Sequence, residues 1–450
     1  MQDLKHISKK KRLIRLNVLK SQEDASPHSH KMLVESRPDR KRLRLLLPLL
    51  ALILAAYPIL NLLVSARNAI SSVGKSVATK PKVVETYKEL DTWRSLQLAA
   101  ELLPTSHFEA ERLLAPLPDG GTIVYAINEE LQQRVIRLMK EYKVPYGVFV
   151  AIEPKTGRVL ALAGHSSLDP SWEKSSCYNL YPMASLFKII TAAAALEQKK
   201  VSPETVFAFN GKLTSENPKY WYVKPRRKNQ EMSLSLAMGK SVNPVFGRLA
   251  SDVVGKDSLV SCAEQFGFNQ LLFPGTPVTP SRAAPPQTDD ELKLMGAGLG
   301  REVKISPLHA TAVMAAIANG GVMMAPSLTE EIRNSRGETV FTRQPRQLKR
   351  LVTPETAGQL ARMLSTTVNS GTSRKAFHDR RGRPMLASLN IAAKTGSIDG
   401  KDPAGHYSWF AAYAPIEDPQ IALVALVINQ NKWRIKASHV GEKALEAFFK

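Results

Sequence analysis

Cysteine is nearly absent from this chain, which has only Cys177 and Cys262 among its 450 residues. Two thiols are too few for a disulfide framework or a cysteine-rich zinc site, and the sequence leaves open whether they form one bridge. No cluster of metal ligands and no glycine-rich phosphate loop occurs, so we expect no metal and no cofactor. Acidic residues are also scarce, because 40 Asp and Glu accompany 62 Lys and Arg, for a net charge of +22.

Much of that basic excess lies at the start of the chain. Residues 1–44 hold thirteen Lys and Arg against five acidic residues. The run that follows, LLLPLLALILAAYPILNLLV at 45–64, is uncharged and long enough for a helix across a bilayer core of about 30 Å. A basic block beside an apolar helix is an orientation signal rather than a nucleic-acid site. We predict a basic cytoplasmic tail (1–44), a transmembrane anchor (45–64), an extracytoplasmic remainder and no nucleic-acid partner.

Two alternatives to this topology remain open at the sequence level. The segment LVSARNA ends in small residues, so cleavage as a signal peptide is possible. A buried core helix is disfavoured because the basic block directly precedes it. The basic body would be attracted to anionic lipid headgroups or wall polymers, or would simply have a solvated basic surface.

The rest of the chain divides into a short segment and a long one. Residues 65–121 show weak helical patterning in TWRSLQLAAELL and FEAERLLAPL, so we predict a stalk or small helical linker. A helix N-capped by Asn128 follows, and the turn at 154–157 joins two apolar runs into a hairpin. Strands are expected at 146–163 and 391–429, with mostly helical sequence between them. This order predicts an α/β (α+β) fold, with an antiparallel sheet formed from both ends of the body and a large helical insertion.

Three short motifs, Ser-x-x-Lys, Ser-x-Asn and Lys-Thr-Gly, each occur more than once in the chain. One copy of each lies in a context that suits a catalytic site. Ser-x-x-Lys begins at four serines, of which only Ser185 opens an apolar helix, where Lys188 would be costly unless paired or functional. Ser-x-Asn occurs three times, and only Ser241 lies in a loop between two helical stretches. Lys-Thr-Gly occurs twice: the copy at 155–157 is a solvent-exposed turn, and the copy at 394–396 enters a strand.

The ordered set Ser185-Leu186-Phe187-Lys188, Ser241-Val242-Asn243 and Lys394-Thr395-Gly396 resembles the three motifs of the penicillin-binding proteins and serine β-lactamases. The resemblance covers residues 122–450. It is closest to the transpeptidase domain of the bifunctional class, but residues 65–121 are too few for that class's glycosyltransferase domain. The chain departs from the usual pattern at Ala184, where glycine is common, and at Ser397, where threonine is common.

The resemblance implies a catalytic role for four side chains. Ser185 would attack the carbonyl between two D-alanines, and Lys188 would take its proton. Ser241 and Lys394 would relay a proton to the leaving amine.

It also implies four substrate-binding residues, which are Asn243, Thr395, Gly396 and Ser397. Asn243 would hydrogen-bond a substrate amide, and the hydroxyls of Thr395 and Ser397 would hold the substrate carboxylate. The backbone N–H groups of Ser185 and Ser397 would form the oxyanion hole.

By resemblance, then, the chain is a membrane-anchored serine D,D-transpeptidase that acts on peptidoglycan stem peptides and is acylated by β-lactams. A D,D-carboxypeptidase, a β-lactamase or β-lactam sensor, and a non-catalytic scaffold for wall-synthesis or division proteins remain as alternatives. A class A β-lactamase needs a deacylating Glu followed by Asn, and the segment at Glu291 lacks that Asn.

The predicted anchor can be tested by protease protection. Protease added outside spheroplasts should digest residues 65–450 and spare the basic tail, because the excess of Lys and Arg before residue 45 favours a cytoplasmic N-terminus. A tail-specific antibody reads the protected fragment by immunoblot. A digested tail with a protected body would show that the orientation is wrong.

Overall fold

The computed structural model describes residues 87, 90–226, 228–274 and 276–450. The predicted tail at 1–44 and the predicted anchor at 45–64 lie outside these residues, as does most of 65–89. Within the described ranges, no helix is both long enough and apolar enough to cross a membrane.

The body contains helices and strands in alternating groups. The helices are α1 (Thr92–Leu102), α2 (Glu129–Glu141), α3 (Lys188–Glu197), α4 (Leu234–Lys240), α5 (Asn243–Arg248), α6 (Lys256–Gln265), α7 (Asp289–Gly296), α8 (Pro307–Ala318), α9 (Pro354–Asn369), α10 (Arg374–Phe377) and α11 (Ala437–Phe448). The strands are β1 (His107–Glu109), β2 (Arg112–Pro116), β3 (Thr122–Tyr125), β4 (Tyr146–Ile152), β5 (Val159–His165), β6 (Tyr181–Pro182), β7 (Val206–Phe209), β8 (Gln230–Ser233), β9 (Lys304–Ile305), β10 (Val322–Met324), β11 (Thr329–Arg333), β12 (Thr339–Thr342), β13 (Gln347–Arg350), β14 (Ala392–Lys401), β15 (Ala404–Ala414) and β16 (Ile421–Asn429).

The main sheet joins the two ends of the body. Its strand order is β14-β15-β16-β4-β5, and every neighbouring pair is antiparallel. All nine residues of β16 are buried, because helices cover both faces of the sheet. Alternate residues of β4 belong to two separate apolar clusters, one shared with α8 and the other with α2 and α11. The predicted antiparallel sheet with a helical insertion is confirmed.

A second sheet includes part of the predicted linker. Its order is β1-β2-β3-β11-β12, so strands before residue 121 pair with a strand after it. The predicted helix at TWRSLQLAAELL is confirmed as α1, which accepts a hydrogen bond from the Tyr125 hydroxyl at the carbonyl of Ala99, 2.7 Å away. The helical interpretation of FEAERLLAPL is wrong. Leu113 and Ala115 are both buried at a spacing of two, which is the period of a strand that lays one face on a core.

Local turn chemistry also behaves as the sequence indicates. The side chain of Asn128 accepts a hydrogen bond from the backbone N–H of Leu131 and so caps α2. Gly157 adopts φ +80° in the turn between β4 and β5, a conformation that favours glycine. In the same turn, Lys155 is exposed and forms a 2.7 Å ion pair with Asp418. The first Lys-Thr-Gly is therefore a surface turn.

Helix α11 approaches the main sheet closely because Gly441 has no side chain. A Cβ at Gly441 would lie 2.3 Å from the ring of Phe410. We expect Gly441→Ala to destabilise the fold by about 1–3 kcal/mol, the usual cost of overpacking a core. The measurement is the midpoint of denaturant unfolding.

Gly358 in α9 supplies the matched control, since it is exposed and a Cβ there would meet nothing within 4 Å. Gly358→Ala should leave stability unchanged or raise it by about 0.5–1 kcal/mol through helix propensity. Equal effects at both positions would show that α11 does not pack as closely as described.

Candidate active site

The candidate nucleophile lies on a tight turn at the start of α3. A short 3-10 helix, Ala184–Phe187, follows β6 and leads directly into α3, as the apolar run SLFKIITAAAAL predicts. Ala184 has φ +53°, in the left-handed region where glycine is favoured, which explains why glycine is the usual residue of the resembled motif at this point. Upstream, the indole N–H of Trp409 donates to the carbonyl of Pro182 at 2.9 Å and ties the turn to β15.

Two glycines allow backbone to approach this turn from two directions. A Cβ at Gly298 would lie 2.4 Å from the carbonyl oxygen of Ala184. A Cβ at Gly396 would lie 3.2 Å from Ala184 Cβ and 3.4 Å from the backbone nitrogen of Ser185. The close approach of Gly396 explains why the third motif carries glycine at this position, since β14 runs directly past the nucleophile turn.

Lys188 is fully buried behind Ser185 and is surrounded by oxygen atoms. Its Nζ lies 2.7 Å from Ser185 Oγ, 2.7 Å from Asn243 Oδ1 and 2.6 Å from the carbonyl oxygen of Ala297. Burial holds the pKa of Lys188 well below its ordinary value, and repulsion from Lys394 lowers it further. Lys188 therefore loses its proton more easily than an exposed lysine does.

The partners of Lys188 define the role that its lone pair can take. A neutral amine has two N–H donors and one lone pair. The carbonyl of Ala297 and the Oδ1 of Asn243 can only accept, and the amide of Asn243 is oriented by a 3.3 Å hydrogen bond from its Nδ2 to the carbonyl of Ser215. With both N–H groups taken, the lone pair is left for the Ser185 hydroxyl, which can donate to it. The arrangement is that of a nucleophile with an adjacent base.

Ser241 and Lys394 form a second hydroxyl–amine pair. Ser241 follows α4 with φ +56°, and Asn243 begins α5, so both lie at the predicted junction between helices. Lys394 Nζ lies 2.8 Å from Ser241 Oγ and 2.8 Å from the carbonyl oxygen of Thr395. Burial lowers the pKa of Lys394 to about 7, so this amine can gain or lose a proton near neutrality.

These elements enclose a cleft of about 470 Å³. Two of the eight predicted site residues, Lys188 and Lys394, are buried. The other six line the cleft, and they are Ser185, Ser241, Asn243, Thr395, Gly396 and Ser397. A larger cavity of about 830 Å³ contains none of these residues and is lined largely by Glu and Arg. The chemistry therefore favours the smaller cleft.

Sequence reasoning missed several groups at the site. Thr372 lines the cleft and hydrogen-bonds the hydroxyl of Thr395. The carbonyl of Ala297 is a backbone group, so the residue type gives no indication of its contact with Lys188. Asp399 and His406 also line the cleft and could not be associated with it before β14 and β15 were paired. Cys177 and Cys262 are both free, which settles the question of a bridge.

Comparison with known proteins agrees with this geometry. Residues 147–450 match the family model of the penicillin-binding protein transpeptidase domain. The peptidoglycan D,D-transpeptidase PbpA of Mycolicibacterium smegmatis is 30% identical over 347 residues, which cover 69% of this chain and 68% of that protein.

Solved structures give the same result. The imipenem acyl-enzyme complex of penicillin-binding protein A from Mycobacterium tuberculosis superposes with a TM-score of 0.62 at 25% identity, over 73% of this chain and 80% of that one. The D,D-transpeptidase domain of a peptidoglycan glycosyltransferase from Eggerthella lenta also gives 0.62 at 25% identity, over 78% and 90%. The chain belongs to the penicillin-binding protein transpeptidase family, and the expectation of a transpeptidase enzyme is confirmed.

The two Lys-Thr-Gly copies provide an internal test of the site. Lys394→Ala should lower the rate of acylation by fluorescent penicillin by at least about a hundredfold, in the range of lost acid–base catalysis, because it removes the buried amine beside Ser241. Lys155→Ala should acylate at the wild-type rate, because Lys155 pairs with Asp418 on the surface. The measurement is the time course of labelling on a gel. Equal losses in both variants would contradict the assignment of Lys155 to a surface turn.

Proposed function

We propose that this chain is a membrane-anchored serine D,D-transpeptidase that cross-links peptidoglycan stem peptides through an acyl-enzyme at Ser185. The observation that carries the proposal is the buried Lys188 amine. Of its three hydrogen-bond partners in the described part of the chain, the Ser185 hydroxyl is the one that can donate to it. The relatives named D,D-transpeptidase and the β-lactam acyl-enzyme complex among the structural neighbours support the same reaction for this chain.

Acylation begins with attack of Ser185 Oγ on the carbonyl between two D-alanines. As the new C–O bond forms, the hydroxyl proton passes to Lys188 Nζ, and negative charge develops on the carbonyl oxygen. The backbone N–H groups of Ser185 and Ser397 stabilise that charge, and the close approach of Gly396 to the Ser185 nitrogen places β14 beside the nucleophile turn that carries the other donor.

Collapse of the tetrahedral intermediate that this attack forms breaks the C–N bond and expels the terminal D-alanine. The leaving nitrogen needs a proton, which Ser241 relays from Lys394, 2.8 Å away. An amine with a pKa of about 7 suits a proton donor that must be reloaded at neutral pH. In the second half-reaction, the amine of another stem peptide attacks the acyl-Ser185 ester, loses a proton to the same network, and regenerates the hydroxyl.

Substrate is held along β14. The hydroxyls of Thr395 and Ser397 bind the terminal carboxylate, and Thr372 orients the Thr395 hydroxyl. Gly396 leaves room for the nucleophile turn, and Asn243 donates to a substrate amide when it exchanges its bond to the carbonyl of Ser215.

A glutamate on the cleft wall favours a second candidate function. Glu216 lines the cleft and is exposed, so its carboxylate is available to activate a water molecule there. Glu291, the candidate weighed for a class A β-lactamase, is absent from the cleft and accepts a hydrogen bond from the backbone N–H of Gln287 instead. A β-lactamase or D,D-carboxypeptidase therefore requires Glu216 or another route to an activated water.

The remaining organisation rests on the sequence. We infer a cytoplasmic tail (1–44), an anchor (45–64), a linker (65–121) and an extracytoplasmic catalytic domain (122–450), as a wall enzyme requires. Wall-synthesis or division proteins are then the expected partners in the membrane. The same partners are expected for the alternative in which this chain is a non-catalytic scaffold.

The lifetime of the penicillin adduct separates the enzyme candidates. A transpeptidase must keep its acyl-enzyme until an amine arrives, so we expect a penicillin bound at Ser185 to persist for many minutes. Intact-protein mass spectrometry follows the adduct, and Ser185→Ala should form none. Penicillin turnover of about one per second or faster, within the usual range for enzymes, would favour a β-lactamase. If that turnover disappears in Glu216→Gln, Glu216 is the water-activating group.

A further inference from the structure

The segment between β7 and β8, residues 210–229, carries two adjacent aromatic residues that no proposed catalytic step uses. Trp221 is fully buried, and Tyr222 is 41% exposed. The Trp221 ring lies directly on α5, because a Cβ at Gly247 would overlap its six-membered ring. The same Cβ would lie 3.0 Å from the carbonyl oxygen of Lys293, so α5 and α7 also approach closely at this point. Trp221 therefore packs where the two helices meet.

Hydrogen bonds connect Trp221 to the second motif. Its indole N–H donates to Ser215 Oγ at 3.1 Å. The carbonyl of Ser215 accepts from Asn243 Nδ2 at 3.3 Å, and the carbonyl of Leu213 accepts from the backbone N–H of Asn243 at 2.8 Å. The loop that Trp221 holds is therefore the one that fixes both the main chain and the side-chain amide of Asn243.

Tyr222 connects the same segment to the other helix beside the base. The guanidinium carbon of Arg248, on α5, lies 5.5 Å from the centre of the Tyr222 ring, and Lys293 Nζ, on α7, lies 4.9 Å from it. Cations are attracted to an aromatic face, so the ring holds α5 and α7 together. The amide at the start of α5 and the carbonyl of Ala297, directly after α7, each supply an oxygen to Lys188. The aromatic pair therefore supports both of these oxygens.

The orientation of the Asn243 amide decides whether Lys188 can act as a base. In the structure Oδ1 faces Lys188 Nζ, and Nδ2 faces the carbonyl of Ser215. Oδ1 can only accept, so it uses an N–H of the lysine and leaves the lone pair for the Ser185 hydroxyl. After a half-turn of the amide, Nδ2 would donate to that lone pair and compete with Ser185. The carbonyl of Ser215 disfavours this turn, because Oδ1 would then face another acceptor.

We propose that Trp221 is a positioning residue for acylation of Ser185. It holds Ser215 through its indole N–H and α5 through its ring, so that Asn243 presents oxygen rather than nitrogen to Lys188. The assignment rests on the proposed function, because Lys188 is the base of that reaction. Trp221 does not line the cleft, so it acts through Asn243 and not by touching substrate.

The test removes the indole hydrogen bond and keeps an aromatic ring. Trp221→Phe in the full-length protein should lower the rate of Ser185 acylation by fluorescent penicillin about five- to tenfold, the range for one hydrogen bond. Ser215→Ala removes the acceptor of the same bond and should give an equal loss, so the double variant should be no slower than either single variant. Ser215→Thr keeps the hydroxyl and should label within about twofold of wild type.

A background without the amide distinguishes positioning from general support of the fold. If Trp221 acts through Asn243, Trp221→Phe should slow acylation by less than about twofold in Asn243→Ala, since no amide remains to orient. The measurement is again the time course of labelling on a gel. An equal fold loss in both backgrounds would show that Trp221 supports the fold alone, and it would overturn the proposal.

Tyr125→Phe is the matched control for the loss of a buried hydrogen bond. The Tyr125 hydroxyl donates to the carbonyl of Ala99 at 2.7 Å, and neither residue lines the cleft. This variant should acylate at the wild-type rate. The midpoint of denaturant unfolding is measured for every variant, and if Trp221→Phe does not fold, Ser215→Ala and Ser215→Thr make the same comparison in both backgrounds.

The outcomes separate the positioning role from the reaction. If penicillin labels wild type at Ser185 and labels Trp221→Phe and Ser215→Ala equally fast, the positioning role is refuted and the proposed function stands. If penicillin does not label wild type at all, the proposed function fails and the positioning role fails with it.

Discussion

The site depends on the burial of two lysines. Lys188 and Lys394 are both 0% exposed, and a charged ammonium in such a position is costly. Each amine has oxygen partners at 2.6–2.8 Å, so hydrogen bonding offsets the burial while the proton remains easy to lose. The surrounding architecture serves this arrangement, because the carbonyl of Ala297, the helix junction at Ser241 and strand β14 must all converge on the amines to keep them buried and bonded.

Much of this arrangement could be predicted from the chain itself. The apolar run after Ser185 indicates a helix buried on all sides, and a lysine in its first turn indicates function. The Pro-Lys-Thr-Gly turn distinguishes the surface copy of the third motif from the copy on β14. The continuous apolar runs of β4 and β16 indicate strands that are covered on both faces, as expected of central strands in one sheet shared by the two ends of the body.

The rest could not be predicted, for physical reasons. The segment FEAERLLAPL has good helix formers, but pairing with β3 outweighs their weak intrinsic preference. The contact made by the carbonyl of Ala297 cannot be predicted from the residue type, because every residue has a backbone carbonyl. Asp399 and His406 become neighbours only through the register of β14 with β15, which depends on tertiary packing. Contacts made by backbone atoms or by cross-strand register are therefore the ones that a single sequence conceals.

The crowding around the Ser185 turn limits how the protein can adapt. Ala184 already has a left-handed backbone, the position of Gly298 has no space for a side chain, and a Cβ at Gly396 would be in tight contact with the nucleophile turn. Evolution under an antibiotic therefore has little freedom to remodel the nucleophile without losing the enzyme. Heritable tolerance would have to accumulate at the mouth of the cleft, where exposed side chains can change drug access while the reacting atoms stay in place.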